Sequence, residues 1–177
     1  MQLSRVKKNM ITAVCISLSV VLELAVRIIP GGGSFYGLLH LPVLICALVC
    51  GGGHGALCGL CAAVLSAAAA GTPSAAMLPV CIVECVLLGG VAGVLYGHLQ
   101  GGAVYAATLA AMVIGRAVGS VLGAVLFSES ASAGIVWATG YFAAALPGAV
   151  IQFVLAPGIM HALKNAGVIQ QEETGDE

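Results

Sequence analysis

Long apolar runs, broken by glycine, proline and a few isolated charges, set the pattern of this chain. They predict six helices, at about 10–29, 37–50, 54–70, 78–98, 103–126 and 134–163. Pro30 and Gly31–Gly33 end the first run, and Gly51–Gly53 end the second. Pro73 and Pro79 bracket the connection between the third and the fourth. A membrane span needs roughly 20 apolar residues. The second run is therefore too short to cross alone as a straight helix unless flanking loop residues share its depth. Irregular backbone at that depth must be covered by protein or line a cavity, because lipid cannot satisfy its polar groups.

Composition strengthens this picture. The chain is 60% hydrophobic and 7% charged, with a mean hydropathy of +1.11, whereas a soluble domain carries about 25% charged residues. The expected fold is an all-α integral membrane protein, a six-transmembrane-helix bundle with a short second helix and outward-facing loops. Residues 1–9 form a basic N-terminus, 10–163 the membrane domain and 164–177 a tail whose acidic end reads as disordered. The first run is too long for a signal-peptide core and reads as a retained helix. The net charge is −1, and no basic patch is present to neutralise phosphates, so no nucleic-acid partner is expected.

Arg5, Lys7 and Lys8 precede the first helix and Lys164 follows the last. Basic residues favour the cytoplasmic side, so both termini are expected in the cytoplasm of a multi-pass cell-membrane protein. The segments Pro30–Tyr36, Gly71–Met77 and Ser128–Ser132 then face outward and form the expected recognition surface. The turns at Gly51–His54 and Gly97–Gly102 face inward.

Between Asn9 and Leu163 the Asp, Glu, Lys and Arg residues are Glu23, Arg27, Glu84, Arg116 and Glu129. Ionisable groups inside a membrane are costly and mark function by default. Glu23 and Arg27 stand four apart and pair readily on one helix face. Arg116 lies too deep to snorkel, among small residues, and Glu84 reaches a similar depth from the neighbouring helix. Two readings stay open: a structural Glu84–Arg116 ion pair, or a guanidinium that binds an anionic substrate through two parallel hydrogen bonds. His40 precedes Leu41-Pro42, and a residue before proline avoids helical angles. An extended entry is expected there, with His40 facing a loop or cavity. Pro147 and Pro157 are expected to break the last helix, with Gln152 between them beside a pocket. Trp137 and Tyr141 are either aromatic walls of that pocket or part of an interfacial belt. Gly115, Gly119 and Gly123 recur every four residues, which predicts close helix packing.

Seven cysteines raise a metal or redox reading, with Cys58 and Cys61 in CxxC spacing. The count is odd and no second CxxC follows, so small apolar packing residues are the alternative. No metal site is expected. There is no GxxxxGK[ST], HExxH or GxSxG, so P-loop hydrolysis, metalloprotease and serine-hydrolase chemistry lack their residues. No enzymatic activity is expected. The buried acids are too few for a typical proton-coupled carrier, which suggests a binding subunit driven by energy from elsewhere.

The ordered series "HLPVLICALVCG", "GTPSAAMLPVCIVECVLLGGVAGVLY", "AAMVIGRAVGSVLGAVL" and "ALPGAVIQFVLAPGIMHALKNAG" resembles the substrate-binding S component of energy-coupling factor (ECF) transporters, over roughly residues 8–167. It looks most like the pantothenate-type members. The resemblance implies a six-helix bundle that binds a vitamin near the outer face. It implies assembly with a transmembrane coupling subunit and two ATP-binding subunits; the chain itself holds no cofactor, and the partners use ATP. It also implies a docking face of small residues four apart on helix one, here Ala13 and Ser17. Arg116 would meet the pantothenate carboxylate, with His40, Glu84, Gln152 and Tyr141 as further contacts. Pro30–Gly33 would act as a lid-like loop. The alternatives are an S component for riboflavin, folate or a queuosine precursor, a membrane thiol-redox protein using Cys58 and Cys61, or a scaffold without ligand.

Overall fold

A computed structural model describes residues 4–28, 39–99 and 104–166, with Arg27 as backbone alone. Among the described residues there are seven helices and no strand: α1 (Arg5–Ile28), α2 (His40–Cys50), α3 (Gly52–Ala70), α4 (Leu78–His98), α5 (Val104–Phe127), α6 (Ala131–Ala144) and α7 (Leu146–Asn165). Five of them, α1, α3, α4, α5 and α7, are long and apolar enough to cross a membrane. The all-helical membrane architecture agrees with the sequence pattern, and the boundaries of the third to fifth helices fall within two residues of expectation.

The sixth expected helix is the main departure. It is divided at Ala145 into α6 and α7. Pro147 lies in the first turn of α7, where its missing N–H has no intrahelical partner to lose. Pro157 does not break the chain as expected; α7 runs through it and forgoes the bond that residue 157 would donate to the carbonyl of Phe153.

The short α2 is apolar all round because it is enclosed all round. Val43, Leu44, Cys46 and Ala47 are fully buried, and α1, α3, α4 and α7 pack against it. A helix that is hydrophobic on every face belongs in an interior. At about 1.5 Å per residue its 11 residues reach about 16 Å, roughly half a hydrocarbon core. Gly51 closes α2 onto α3 with φ +94°, a left-handed conformation that suits glycine and strains other residues. Gly71 ends α3 with a positive φ as well, 66°, here in the left-handed helical region.

The helices α3 and α4 meet along a seam of glycines. A Cβ on Gly55 or Gly59 of α3, or on Gly89 or Gly93 of α4, would overlap the facing backbone. Only hydrogen at these positions lets two backbones approach so closely, and such contact drives packing where lipid removes the hydrophobic effect between helices. Cys15, Cys46, Cys50, Cys58 and Cys85 are buried in one apolar cluster with Val43 and Ala62. Among the described residues every cysteine is free, and no group of His, Cys, Asp or Glu is arranged to hold a metal ion.

The two ends of the bundle differ. At one, Cys50 Sγ lies 3.8 Å from the Lys8 carbonyl, His54 Nε2 meets Asn9 Oδ1 at 3.3 Å, and Lys164 stands over the Tyr96 ring. The start of α1 and the end of α7 therefore share this terminal end. The α3–α4 connection and residues 128–130 lie at the opposite, loop end. There Thr72 donates a 2.8 Å hydrogen bond to Glu23, and the Ser130 hydroxyl caps α6 by accepting from the Ala133 N–H. The expected lid at Pro30–Gly33, the rest of that loop to residue 38, residues 100–103 and the acidic tail lie outside the described residues.

Candidate functional site

Glu84 is the centre of the charged groups in the bundle. It projects from α4 and is only 3% exposed. A buried carboxylate needs compensating donors; two helices supply them and a third brings an imidazole close. Arg116 of α5 brings Nη2 to 2.9 Å from Oε1. Tyr141 of α6 donates its hydroxyl to Oε2 at 2.5 Å. His40 of α2 places Nε2 3.6 Å from Oε1.

The glycine stripe of α5 makes room for this group. A Cβ on Gly115 would stand 3.2 Å from the Glu84 carbonyl, and one on Gly119 would stand 3.4 Å from Glu84 Oε2. Gly123 has a different neighbour: the indole of Trp137 lies over its bare α-carbon. Trp137 stacks on Tyr141 with centroids 5.0 Å apart and planes 11° apart, and Phe127 flanks Trp137 at 5.8 Å. The Arg116 guanidinium lies 5.3 Å from the Tyr141 centroid, within the range of a cation–π contact. The stripe therefore seats, in order, the α4 backbone, a carboxylate and an aromatic stack that holds Tyr141 on that carboxylate.

Two cavities meet at this cluster, and His40, Glu84, Arg116 and Ala145 line both. One, of about 490 Å³, opens toward the loop end between Glu23, Thr72, Ser74, Met77, Cys81 and Tyr141. The other, of about 340 Å³, lies on the far side of the Glu84–Arg116 pair, between α5 and α7, with Met112, Phe153 and Gln152 in its wall. Both have the size of small-molecule sites, which run from about 300 Å³ upward. The contact with Glu84 is made through Nη2 of Arg116, and a guanidinium carries five N–H donors. The cluster can thus hold an anion beside an ion pair that is already internally balanced.

Of the residues singled out in the sequence, Arg116, His40, Glu84 and Tyr141 come together, and Gln152, buried, joins the first three in the wall of the second cavity. The expected extended entry at His40 is corrected: His40 is helical, in the first turn of α2, and buried. Pro42 sits in that same turn, where a proline costs no hydrogen bond. The Glu23–Arg27 pairing rests on a side chain outside the described residues, and Glu23 has Thr72 as its partner. Ala13 and Ser17 lie apart from the cluster, exposed on α1, and the Ser17 hydroxyl donates back to the Ala13 carbonyl at 3.0 Å. Sequence reasoning passed over Thr72, Ser74 and Cys81 on one cavity and Met112 and Phe153 on the other. Only the position of Thr72 and Ser74 around a proline between two helices hinted at a cavity rim.

A protein-family model described as ECF transporter, substrate-specific component, matches residues 7–160. No curated protein and no solved structure gives a significant match.

Proposed function

Because the chain belongs to the family of ECF transporter substrate-specific components, a family of transporter subunits and not of enzymes, we propose that it captures pantothenate for uptake. Membership implies a multi-pass protein of the cell membrane that works with a coupling subunit and ATPase subunits on a small-molecule substrate. The finer reading is as follows. The loop end faces outward, and both termini are cytoplasmic. The α2 helix counts as the sixth membrane-embedded segment. Vitamin enters the 490 Å³ cavity, and two ATP-binding subunits supply the energy through the coupling protein.

One observation carries the choice of an anionic vitamin: a guanidinium, Arg116, stands in the walls of two cavities inside a bundle almost free of charge. Its delocalised plane matches a carboxylate in a bidentate arrangement. Glu84 and Tyr141 hold it in place before ligand arrives, which lowers the ordering cost of binding. His40 and Ser74 offer hydrogen bonds to the hydroxyl and amide groups of the vitamin. Gln152, across the cluster, extends the polar contacts. The exposed Ala13 and Ser17 belong to the α1 face on which the coupling protein docks; their short side chains allow a partner helix to approach closely.

The test is equilibrium binding of radiolabelled pantothenate to the detergent-purified protein, with a vitamin panel and with Arg116→Ala. Saturable pantothenate binding that a folded Arg116→Ala protein lacks is the expected result. Binding of riboflavin, folate or a queuosine precursor in its place would retain the transport subunit and overturn the substrate. Undiminished pantothenate binding by Arg116→Ala would overturn the anchor.

A further inference from the structure

Beyond Gln152 and the residues shared with the first cavity, the second cavity offers a small polar vitamin no polar side chain. It lies behind the ion pair, and apart from His40, Glu84, Arg116 and Gln152 its wall is hydrocarbon and aromatic. Its rim faces away from the bundle: Val113 of α5 is 49% exposed, and Leu146 and Val150 of α7 are 51% and 64% exposed. Both helices are long and apolar enough to span, so this rim faces the bilayer. The crevice therefore runs from lipid inward and ends on Arg116 and Glu84, whose contact through Nη2 engages one part of a guanidinium that carries five N–H donors. A groove that served only to seat lipid tails makes no use of the guanidinium donors that remain beside the Glu84 pair, since hydrocarbon gives nothing to them. A polar vitamin has no use for apolar walls. A molecule with one anionic end and one aliphatic end matches both.

We infer that the crevice between α5 and α7 binds the chain of an unbranched aliphatic monocarboxylate whose head group is held at Arg116. The inference rests on the reading of Arg116 as an anion anchor and adds a second substrate class to it. The head occupies the donors of Arg116 on the crevice side, and the chain lies along Met112 and Phe153 toward the bilayer. A cavity of about 340 Å³ holds on the order of ten heavy atoms at roughly 30 Å³ each. That corresponds to a carboxylate with a chain of six to eight carbons. Such a ligand and pantothenate share one guanidinium and therefore compete.

Direct binding measures this without reliance on pantothenate. Trp137 is the one tryptophan of the chain, and it stacks on the tyrosine that lies under Arg116. Its fluorescence is titrated with linear carboxylates from four to ten carbons in nanodiscs, at measured free ligand concentration. Affinity should rise about fourfold per added methylene, from about 0.8 kcal/mol for each one buried, and level off near eight carbons. Ala149→Phe on α7 and Val113→Phe on α5 fill the crevice from opposite walls. Each should abolish the chain-length dependence and leave pantothenate affinity within twofold.

A flat chain-length series in the wild-type protein, with pantothenate still bound, would overturn this inference and leave the vitamin reading intact. A rising series that both filled variants retain would place the chain elsewhere and overturn it as well. Failure of both pantothenate and every carboxylate to bind would overturn the anchor at Arg116, and this inference with it.

Discussion

Replacing Glu84 with leucine should destabilise the protein strongly, replacing Arg116 with methionine should do so less, and the two changes together should recover most of the loss. Removing one partner of a buried ion pair typically costs about 3–5 kcal/mol, whereas exchanging both for apolar residues of similar volume is often neutral or favourable. Glu84→Leu leaves a guanidinium that cannot shed its charge and strips the Tyr141 hydroxyl of its acceptor. The expected cost is about 3–5 kcal/mol. The Arg116 side chain keeps 17% exposure, so the lower half of that range applies. Arg116→Met leaves the carboxyl with Tyr141 and His40 still beside it. Its expected cost is about 1.5–3 kcal/mol, the worth of one lost charged hydrogen bond.

The assay is denaturant unfolding in mixed micelles, followed by far-ultraviolet circular dichroism, on the two single variants and the double variant. A coupling energy of at least about 2 kcal/mol is expected, well above the roughly 0.5 kcal/mol within which independent sites add. Strict additivity would refute the reasoning, because it would mean that Glu84 and Arg116 do not compensate one another in the folded protein. The double variant also separates two roles that Arg116→Ala mixes. A folded Glu84→Leu, Arg116→Met protein that no longer binds a carboxylate places the loss on recognition and not on folding.

Other consequences are open to measurement. Gly123→Leu puts a side chain where the Trp137 indole lies, so it should displace the stack, red-shift the emission of the single tryptophan and weaken ligand binding; an unchanged spectrum would refute the contact. Gly89→Val meets the backbone of Gly55 and should cost at least about 1–3 kcal/mol, as overpacking does. Gly53→Ala has open space around its Cβ and should be neutral or stabilise by up to about 1 kcal/mol through helix propensity; equal melting temperatures for the two would contradict the seam. Ala13→Leu with Ser17→Leu should leave ligand binding by the isolated protein intact and abolish uptake with the coupling subunit, and retained uptake would remove α1 as the docking face. Cys58→Ala with Cys61→Ala should preserve uptake, and its loss in a folded protein would revive the thiol-redox alternative.

Membrane class, all-helical architecture and the bounds of the third to fifth helices were legible because hydrocarbon permits few solutions. A chain that is 7% charged cannot cover a soluble surface, and glycine and proline punctuate the runs at places where the helices do end. The last run was read half correctly: it does divide beside Pro147 but not at Pro157, because two prolines that look alike in sequence differ in position. Pro147 starts a helix, and Pro157 is carried inside one. His40 does line both cavities, but the backbone of His40 and Leu41, the residue directly before Pro42, was misread as extended for a related reason. The rule that a residue before proline leaves helical angles is weakest in a first turn, and a first turn cannot be located until the helix boundary is known.

The Gly115, Gly119 and Gly123 series shows most clearly where sequence reasoning stops. Its period announced that one face of α5 lacks side chains, and close packing was the natural inference in lipid. The face is closely packed, yet its three positions meet three kinds of neighbour: the α4 backbone, the Glu84 carboxylate and the Trp137 indole. A period of small residues reports a space and says nothing about its occupant. The occupant depends on the register of α4 and α6 against α5, and register is set by contacts scattered over the whole bundle. The charges behave differently. A buried glutamate and a buried arginine at matched depth have almost no stable arrangement other than each other, so their meeting could be read from two letters and a helix length. Tyr141 needed the aromatic stack to be placed, and the stack needed Gly123. The Glu84–Arg116 contact is therefore legible in its charges while the aromatic wall is hidden, because depth narrows the partners of a buried charge whereas shape is decided by every neighbour.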